Sequence, residues 1–353
     1  MASAAEPFAQ TSRPTSPRRL SMSADLNPAY FALVMATGIV SIASFLLGWL
    51  WIARVLLGLN VIFFVVLAAL SVLRIARHRD RILADLLDHN RCVGFFTTVA
   101  GTCVLGSQFW VILHLRPMAA LLWCLGIVLW AVFTYTIFTG LTVKVEKPPL
   151  ARGINGGWLV AVVATQSVSV LGSQMAAGFA RPDGVLFFSL VMWLGGGMLY
   201  VWIISLIFYR YTFFTLDPSD LSPPYWINMG AMAISTLAGD MLILAGGDSP
   251  LLQSLMPFLK GFTLFFWATA SWWIPMLIIL GVWRHVYRRF PLTYDPLYWG
   301  AVFPLGMYTA CTLQLSRAVS VPYLAAFAGA FLWVALTAWT VTFVGLVRRL
   351  LPR

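Results

Sequence analysis

Side chains able to do chemistry are few in this chain and widely spaced. Cys92, Cys103, Cys124 and Cys311 form no CxxC pair, and His78, His89, His114 and His285 fall at no ligand spacing. Those patterns argue against a disulfide framework and against a zinc or other metal site. The cysteines read as small core hydrophobes. One acid, Asp240, lies inside a long apolar run, where an ionised group is costly and turns toward protein or water. Two readings of it stay open: an ion pair with Lys260 across the hairpin near residue 250, or a group that titrates beside a water-filled path. An embedded enzyme needs nucleophiles, acids or metal ligands gathered at one depth. A lone aspartate with scattered histidines supplies no such cluster, so neither catalysis nor a cofactor is expected.

A second kind of chemistry is mechanical. Pro304 sits inside an apolar segment, where it removes a backbone donor and its ring crowds the carbonyl four residues earlier, that of Gly300. A bend is expected there, beside Phe303. An aromatic ring at a bend among small residues either occludes a lumen or fills the gap left by glycine and proline.

The elements that must position these residues are set by composition. The chain is 60% hydrophobic and 10% charged, with 16 Trp, and its mean hydropathy is +0.86. Soluble domains are roughly 45–50% apolar and about 25% charged. A lipid-embedded, all-α integral membrane protein is expected. Runs long enough to cross about 30 Å of hydrocarbon occur near 28–48, 51–73, 92–113, 118–141, 157–179, 184–209, 225–246, 258–283, 297–316 and 321–347, which makes ten transmembrane helices. Residues 27–350 form the membrane domain. Residues 1–26, with Pro14, Pro17 and several Ser and Arg but no apolar run, read as a disordered cytoplasmic tail rather than a signal peptide.

Orientation follows from Lys and Arg. With the N-terminus inside, 18 of the 23 basic residues lie on the cytoplasmic side, and Arg54, Arg116, Arg181, Lys260 and Arg317 lie opposite. That bias places both termini in the cytoplasm of a multi-pass cell-membrane protein. It also accounts for the net charge of +11, which therefore calls for no nucleic-acid partner and identifies no solute.

The odd-numbered spans repeat weakly: GIVSIAS at 38–44, GTCVLGS at 101–107, SVSVLGS at 167–173, AISTLAG at 233–239 and TACTLQL at 309–315. Aligned on Ile42, Leu105, Leu171, Leu237 and Leu313, the spacings are 63, 66, 66 and 76 residues, one helical hairpin each. Five parallel hairpins related about the membrane normal place one set of five helices inside the other, around a central lumen. Small residues recur at Gly38, Gly101, Ser167, Ala233 and Thr309, and again at Ala43, Gly106, Gly172 and Ala238, with Gln314 in the fifth place. The first set is the candidate pore lining; close helix packing is the alternative. Trp123, Trp193, Trp267 and Trp333 echo one another in the even spans and read as interfacial anchors. Gln108, Gln174, Thr37 and Ser41 offer weak donors to a dehydrating anion, or hydrogen bonds between helices.

Three stretches make a family resemblance specific: Thr37-Gly-Ile-Val-Ser41; Trp267-Ala with Trp272-Trp273-Ile-Pro275 and Trp283-Arg-His285; and Trp299-Gly-Ala-Val-Phe303-Pro304-Leu-Gly306. Together they resemble the tellurite-resistance/dicarboxylate-transporter family, which contains TehA-like proteins, plant guard-cell slow anion channels, and fungal malate and sulfite transporters. The resemblance implies ten helices with quasi-fivefold symmetry, commonly a homotrimer with one pore per subunit. It also implies a gate formed by the phenylalanine matching Phe303, beside Pro304. Passage of small anions is the expected function. A proton-coupled carrier of C4-dicarboxylates or sulfite is the alternative, with Asp240 as its only candidate coupling group.

Overall fold

The computed structural model describes residues 26–351. The expected tail, apart from Leu26, lies outside the described residues. Those residues form ten long helices joined by short turns, with no strand among them. In chain order they are α1 (Ala32–Leu46), α2 (Leu50–Arg77), α3 (Phe96–Val111), α4 (Arg116–Val143), α5 (Val160–Met175), α6 (Pro182–Phe213), α7 (Ile227–Ala245), α8 (Met256–Val282), α9 (Trp299–Ala318) and α10 (Tyr323–Leu350). A π-helical turn, Trp283–Tyr287, extends α8.

Two populations separate by what surrounds them. The apolar stretches around α1, α3, α5 and α7 are 72% to 94% buried, whereas those of the even helices are 22% to 44% buried. Within α9 every residue except Ala301 and Arg317 is buried. Contacts between the odd helices run α1 to α3, α3 to α5, α5 to α7, α7 to α9 and α9 back to α1, which closes a ring. Each even helix packs on the odd helix before it and also touches the odd helix after it, α10 touching α1. Nine helices are long and apolar enough to cross a membrane among the described residues. The remaining one, α9, is 20 residues long and carries Tyr308, Thr309, Thr312, Gln314 and Ser316 from its midpoint onward. Its polar groups are covered by neighbours, so α9 needs less hydrophobicity than a lipid-facing helix does.

The odd helices begin alike. Each is preceded by a 3-10 turn, and three of these turns carry a side-chain cap: Asn27 accepts from the Ala29 N–H, Asn155 from Gly157 and Asp295 from Leu297. Pro28, Pro223 and Pro296 occupy first helical positions, where a missing N–H costs nothing.

Hydrocarbon supplies no hydrophobic drive to gather helices, so close packing and hydrogen bonds must do so. Both are visible. A Cβ at Gly38 would stand 2.5 Å from Val104 Cγ1 and 2.8 Å from Asn60 Nδ2. Only glycine lets α1 approach α2 and α3 that closely. Meanwhile tryptophans of the even helices reach the next odd helix. Trp123 Nε1 donates to the Val168 carbonyl at 2.9 Å, Trp130 to Thr165 Oγ1 at 2.8 Å and Trp193 to the Ser235 carbonyl at 2.8 Å. Trp267 donates to Thr312 Oγ1 at 3.0 Å. Between α2 and α3 the link is Asn60 Nδ2 to Gln108 Oε1 at 2.6 Å, and between α10 and α1 it is Trp339 Nε1 to Thr37 Oγ1 at 3.0 Å. The expectation of interfacial anchors is thereby corrected for Trp123, Trp193 and Trp267, which bond the ring; Trp333 alone of the four is exposed. A buried indole N–H needs an acceptor, and in lipid only protein provides one.

The Trp339–Thr37 bond joins the last helix to the first. A double-mutant cycle of Trp339→Phe and Thr37→Val, read by thermal unfolding in detergent, should give a coupling of roughly 0.6 to 1.7 kcal/mol, the range for interhelical hydrogen bonds in membranes. Strictly additive effects would show that the bond does not help close the ring.

Candidate functional site

The ring encloses a path in three parts. At the end where the odd helices begin there is a cavity of about 210 Å³, to which all five starts contribute: Asn27, Arg91 and Thr97, Asn155, Ser222 and Gly300. At mid-depth a cavity of about 30 Å³ is lined by one face of every odd helix: Ile39 and Ile42, Val104 and Ser107, Ser167 and Val170, Ile234 and Leu237, Met307 and Ala310. It holds little more than a water or two. Beyond it, where the odd helices end, the space widens to about 610 Å³, lined in part by Trp110, Ser173, Asp183, Met241 and Ser249. Val111, Gln174 and Gln314 line both the narrow and the wide parts, so they form the throat between them.

Phe303 lines neither cavity and is 1% exposed. The lining face of α9 steps from Gly300 in the first cavity to Met307, Ala310 and Gln314 in the second. Position 303 falls on that same face, three residues after one and four before the other. The Phe303 ring is therefore the α9 residue at the level where the path is interrupted. Behind it, Pro304 packs on α7: a Cβ at Gly230 would lie 2.6 Å from Pro304 Cγ. The helix continues through Pro304 to Ala318.

Charge is unequal along the path. Among the described residues no acidic side chain lines the first cavity, and Arg91 does. Beside that cavity Asp85 bridges Arg74 Nη2 at 2.7 Å and Arg91 Nε at 2.6 Å, and Asp88 accepts from the Arg91 backbone N–H at 2.9 Å, so two acids offset the two arginines just behind the lining. His89, nearby, is held below its ordinary value by partial burial and by the Lys144 ammonium, against the opposing pull of Asp88. Arg91 is the cationic side chain that lines that rim. The five odd helices also present their N-terminal ends here, and backbone dipoles make such ends favourable to anions.

With that geometry in place, comparison with known proteins decides the family. The family model described as voltage-dependent anion channel, SLAC1, matches residues 25–347. The chain belongs to the SLAC1 family. Relatives of this family member include two Methanocaldococcus jannaschii proteins named as uncharacterized transporters. MJ0576 is 27% identical over 329 residues, covering 90% of this chain and 91% of its own. MJ0762 is 25% identical over 333 residues, covering 91% and 94%. A Mycobacterium tuberculosis membrane protein, Rv1735c, is 40% identical over 152 residues, which is 43% of this chain and 77% of its own.

Of the five small residues expected to line the path, only Ser167 does. Gly38 faces Asn60 and Val104, and Gly101 faces Val34 of α1 at 3.4 Å. Ala233 is buried without lining a cavity, and the Thr309 hydroxyl donates back to the Leu305 carbonyl at 3.0 Å. The recurring small positions mark seams between neighbouring ring helices, and the lining falls on larger residues beside them. Of the expected polar donors, Gln174 reaches the path. Gln108 is tied to Asn60, Thr37 receives Trp339, and Ser41 donates to the Ala53 carbonyl.

The Asp240–Lys260 ion pair is not formed. Asp240 is fully buried, neither carboxyl oxygen has a hydrogen-bond partner among the described residues, and Lys260 is exposed. Asp240 does not line the cavity either; Leu237 and Met241 do. Sequence reasoning missed Arg91, Asn155 and Gln314. The first two stand just before odd helices, and the cap signals Asn27-Pro28 and Asn155-Gly156 would have drawn attention to that rim.

Two outcomes follow. In a background with the native cysteines replaced, Ser107→Cys and Gln174→Cys should react with a small water-soluble thiol reagent, whereas Ala233→Cys and Thr309→Cys should not; the reverse pattern would put the path on the seams. Asp240→Asn, which removes an unpartnered buried acid at nearly constant shape, should leave the unfolding temperature unchanged or raise it. A drop of several degrees would reveal a partner that stabilises the carboxylate.

Proposed function

We propose that this chain is a channel through which small anions pass along the axis of the five-helix ring, with Phe303 as its gate. The observation that carries the reading is the interrupted axial path: two spaces bounded by all five odd helices, with Phe303 on the lining face between them. Membership of a family described as voltage-dependent anion channel supports the class, and homologues named transporters agree with it. The first cavity, lined by Arg91 and by no acid among the described residues, with five helix N-terminal ends around it, supports anions over cations. The mostly apolar mid-section supports weak selectivity, because it offers few groups to bind one anion tightly.

The same reading takes α9 as the tenth span, which gives five inner-outer pairs and quasi-fivefold symmetry. It sets the Arg91 end in the cytoplasm, where Arg74, Arg77, Arg79, Lys144, Lys147, Arg284, Arg348 and Arg349 also lie. Both termini are then cytoplasmic, in the cell membrane. A homotrimer with one path per subunit is the assembly we infer. Lipid or sister subunits would cover exposed side chains such as Trp51, Trp202 and Trp272.

One observation favours a second reading. The unpartnered Asp240 could exchange a proton, as a carrier of C4-dicarboxylates or sulfite coupled to protons would require. Liposomes holding the purified protein separate the two. Under chloride, nitrate, sulfite and malate gradients, a channel carries chloride and nitrate without a proton gradient, and Phe303→Ala raises the flux several-fold. Transport that stops when the proton gradient is removed would favour the carrier. Unchanged flux in well-folded Phe303→Ala would remove Phe303 as the gate.

A further inference from the structure

The throat between the narrow and wide parts of the path is built differently from the rest. Its wall includes Val111 of α3, Gln174 of α5 and Gln314 of α9. Gln314 Oε1 accepts from Arg317 Nη1 at 3.0 Å, less than one turn further along the same helix. A guanidinium can only donate, so the amide atom facing it must be the oxygen. The Gln314 NH2 is left to its other side, and Gln314 is a wall residue of both spaces. On α5, Ser173 is 2% exposed and, among the described residues, its hydroxyl has no partner; Gln174 Oε1 is likewise buried and unpartnered. Ser173 lines the wide space just beyond the throat. Arg317 is exposed and has no ion-pair partner among the described residues, so no acid cancels its positive charge beside the throat. Among the described residues no acid lines the throat. Asp183 lines only the wider space.

We propose that Arg317 and Gln314 act as a unit, with Ser173 and the Gln174 amide opposite, to form a dehydration site for one small monovalent anion at the throat. The Arg317 guanidinium fixes the Gln314 amide so that its two N–H donors replace lost water, and the Ser173 hydroxyl donates from the facing helix. Arg317 is held behind Gln314 and lends a single positive charge without closing on the anion as a bidentate clamp would. One charge and a few neutral donors suit chloride or nitrate. A dicarboxylate or sulfite dianion leaves half its charge uncompensated. The inference rests on the anion reading above and names the ion class and the residues that select it.

The test is flux from liposomes containing the full chain, comparing chloride with thiocyanate, an anion that loses water readily and needs donors less. Losing one hydrogen bond to a charged species should lower the chloride-to-thiocyanate ratio roughly tenfold in Gln314→Leu and in Arg317→Met. Arg317→Lys, whose ammonium still donates to the amide oxygen, should keep most of the wild-type ratio. Wild-type ratios in Gln314→Leu and Arg317→Met, at wild-type unfolding temperature, would overturn the site while leaving the anion reading standing. Should either variant fail to fold, Ser173→Ala with Gln174→Leu alters the facing wall, and an unchanged ratio there is equally decisive against it. A wild-type protein that moves neither anion would overturn the anion reading and this site with it.

Discussion

In lipid, helices do not seek one another out; tails of lipid are as apolar as leucine, and every polar group left inside must find protein. The constraint on which this structure depends is the hydrogen bonding of each outer helix to the inner helix of the next hairpin. A hairpin turn already holds an outer helix against its own inner helix, so a bond within the pair adds little to the ring. A bond to the following inner helix sets the spacing between neighbours around the axis. Trp123, Trp193 and Trp267 do this for three neighbours, Asn60 for another, and Trp339 closes the circle onto Thr37. Each bond is small, on the order of 0.6 kcal/mol in such settings. Their importance is geometric, because a ring that fails to close leaves no axial path.

The width of that path follows from what the seams allow. Glycine at position 38, and at 230 against Pro304, lets backbones approach closely enough that the mid-depth cavity shrinks to about 30 Å³. Tight seams then oblige the larger residues beside them, Ile39, Val104, Ile234 and Met307, to fill the axis. A narrow apolar waist between two wider ends that carry more polar groups is the result. Electrostatics is laid over this shape by the chain's own groups: parallel inner helices put five N-terminal ends and Arg91 at one mouth, and Gln174, Gln314 and Arg317 at the other end of the waist.

Much of this was legible in the sequence. Hydrophobic run lengths located the helices to within a few residues, and the 66-residue echo separated an inner from an outer set. The repeat did not reveal which face of an inner helix looks inward, since small residues serve packing and lining alike; Gly38 and Ser167 occupy equivalent places and do opposite things. Tryptophan was misleading for a related reason. A belt tryptophan and a buried tryptophan have the same spacing along a helix, and only the acceptor opposite, such as the Ser235 carbonyl, distinguishes them. The tie between Gln314 and Arg317 spans three residues of sequence and could have been seen as a local pair. Its meaning depended on knowing that Gln314 faces the path.

The central claim is that one chain encloses its own path and that anions are what cross it. Reversal potential measures this most directly. Purified protein in a planar bilayer between unequal potassium chloride solutions should give currents that reverse close to the chloride equilibrium potential. Reversal near the potassium equilibrium potential, from protein whose currents vanish when it is left out, would contradict the account.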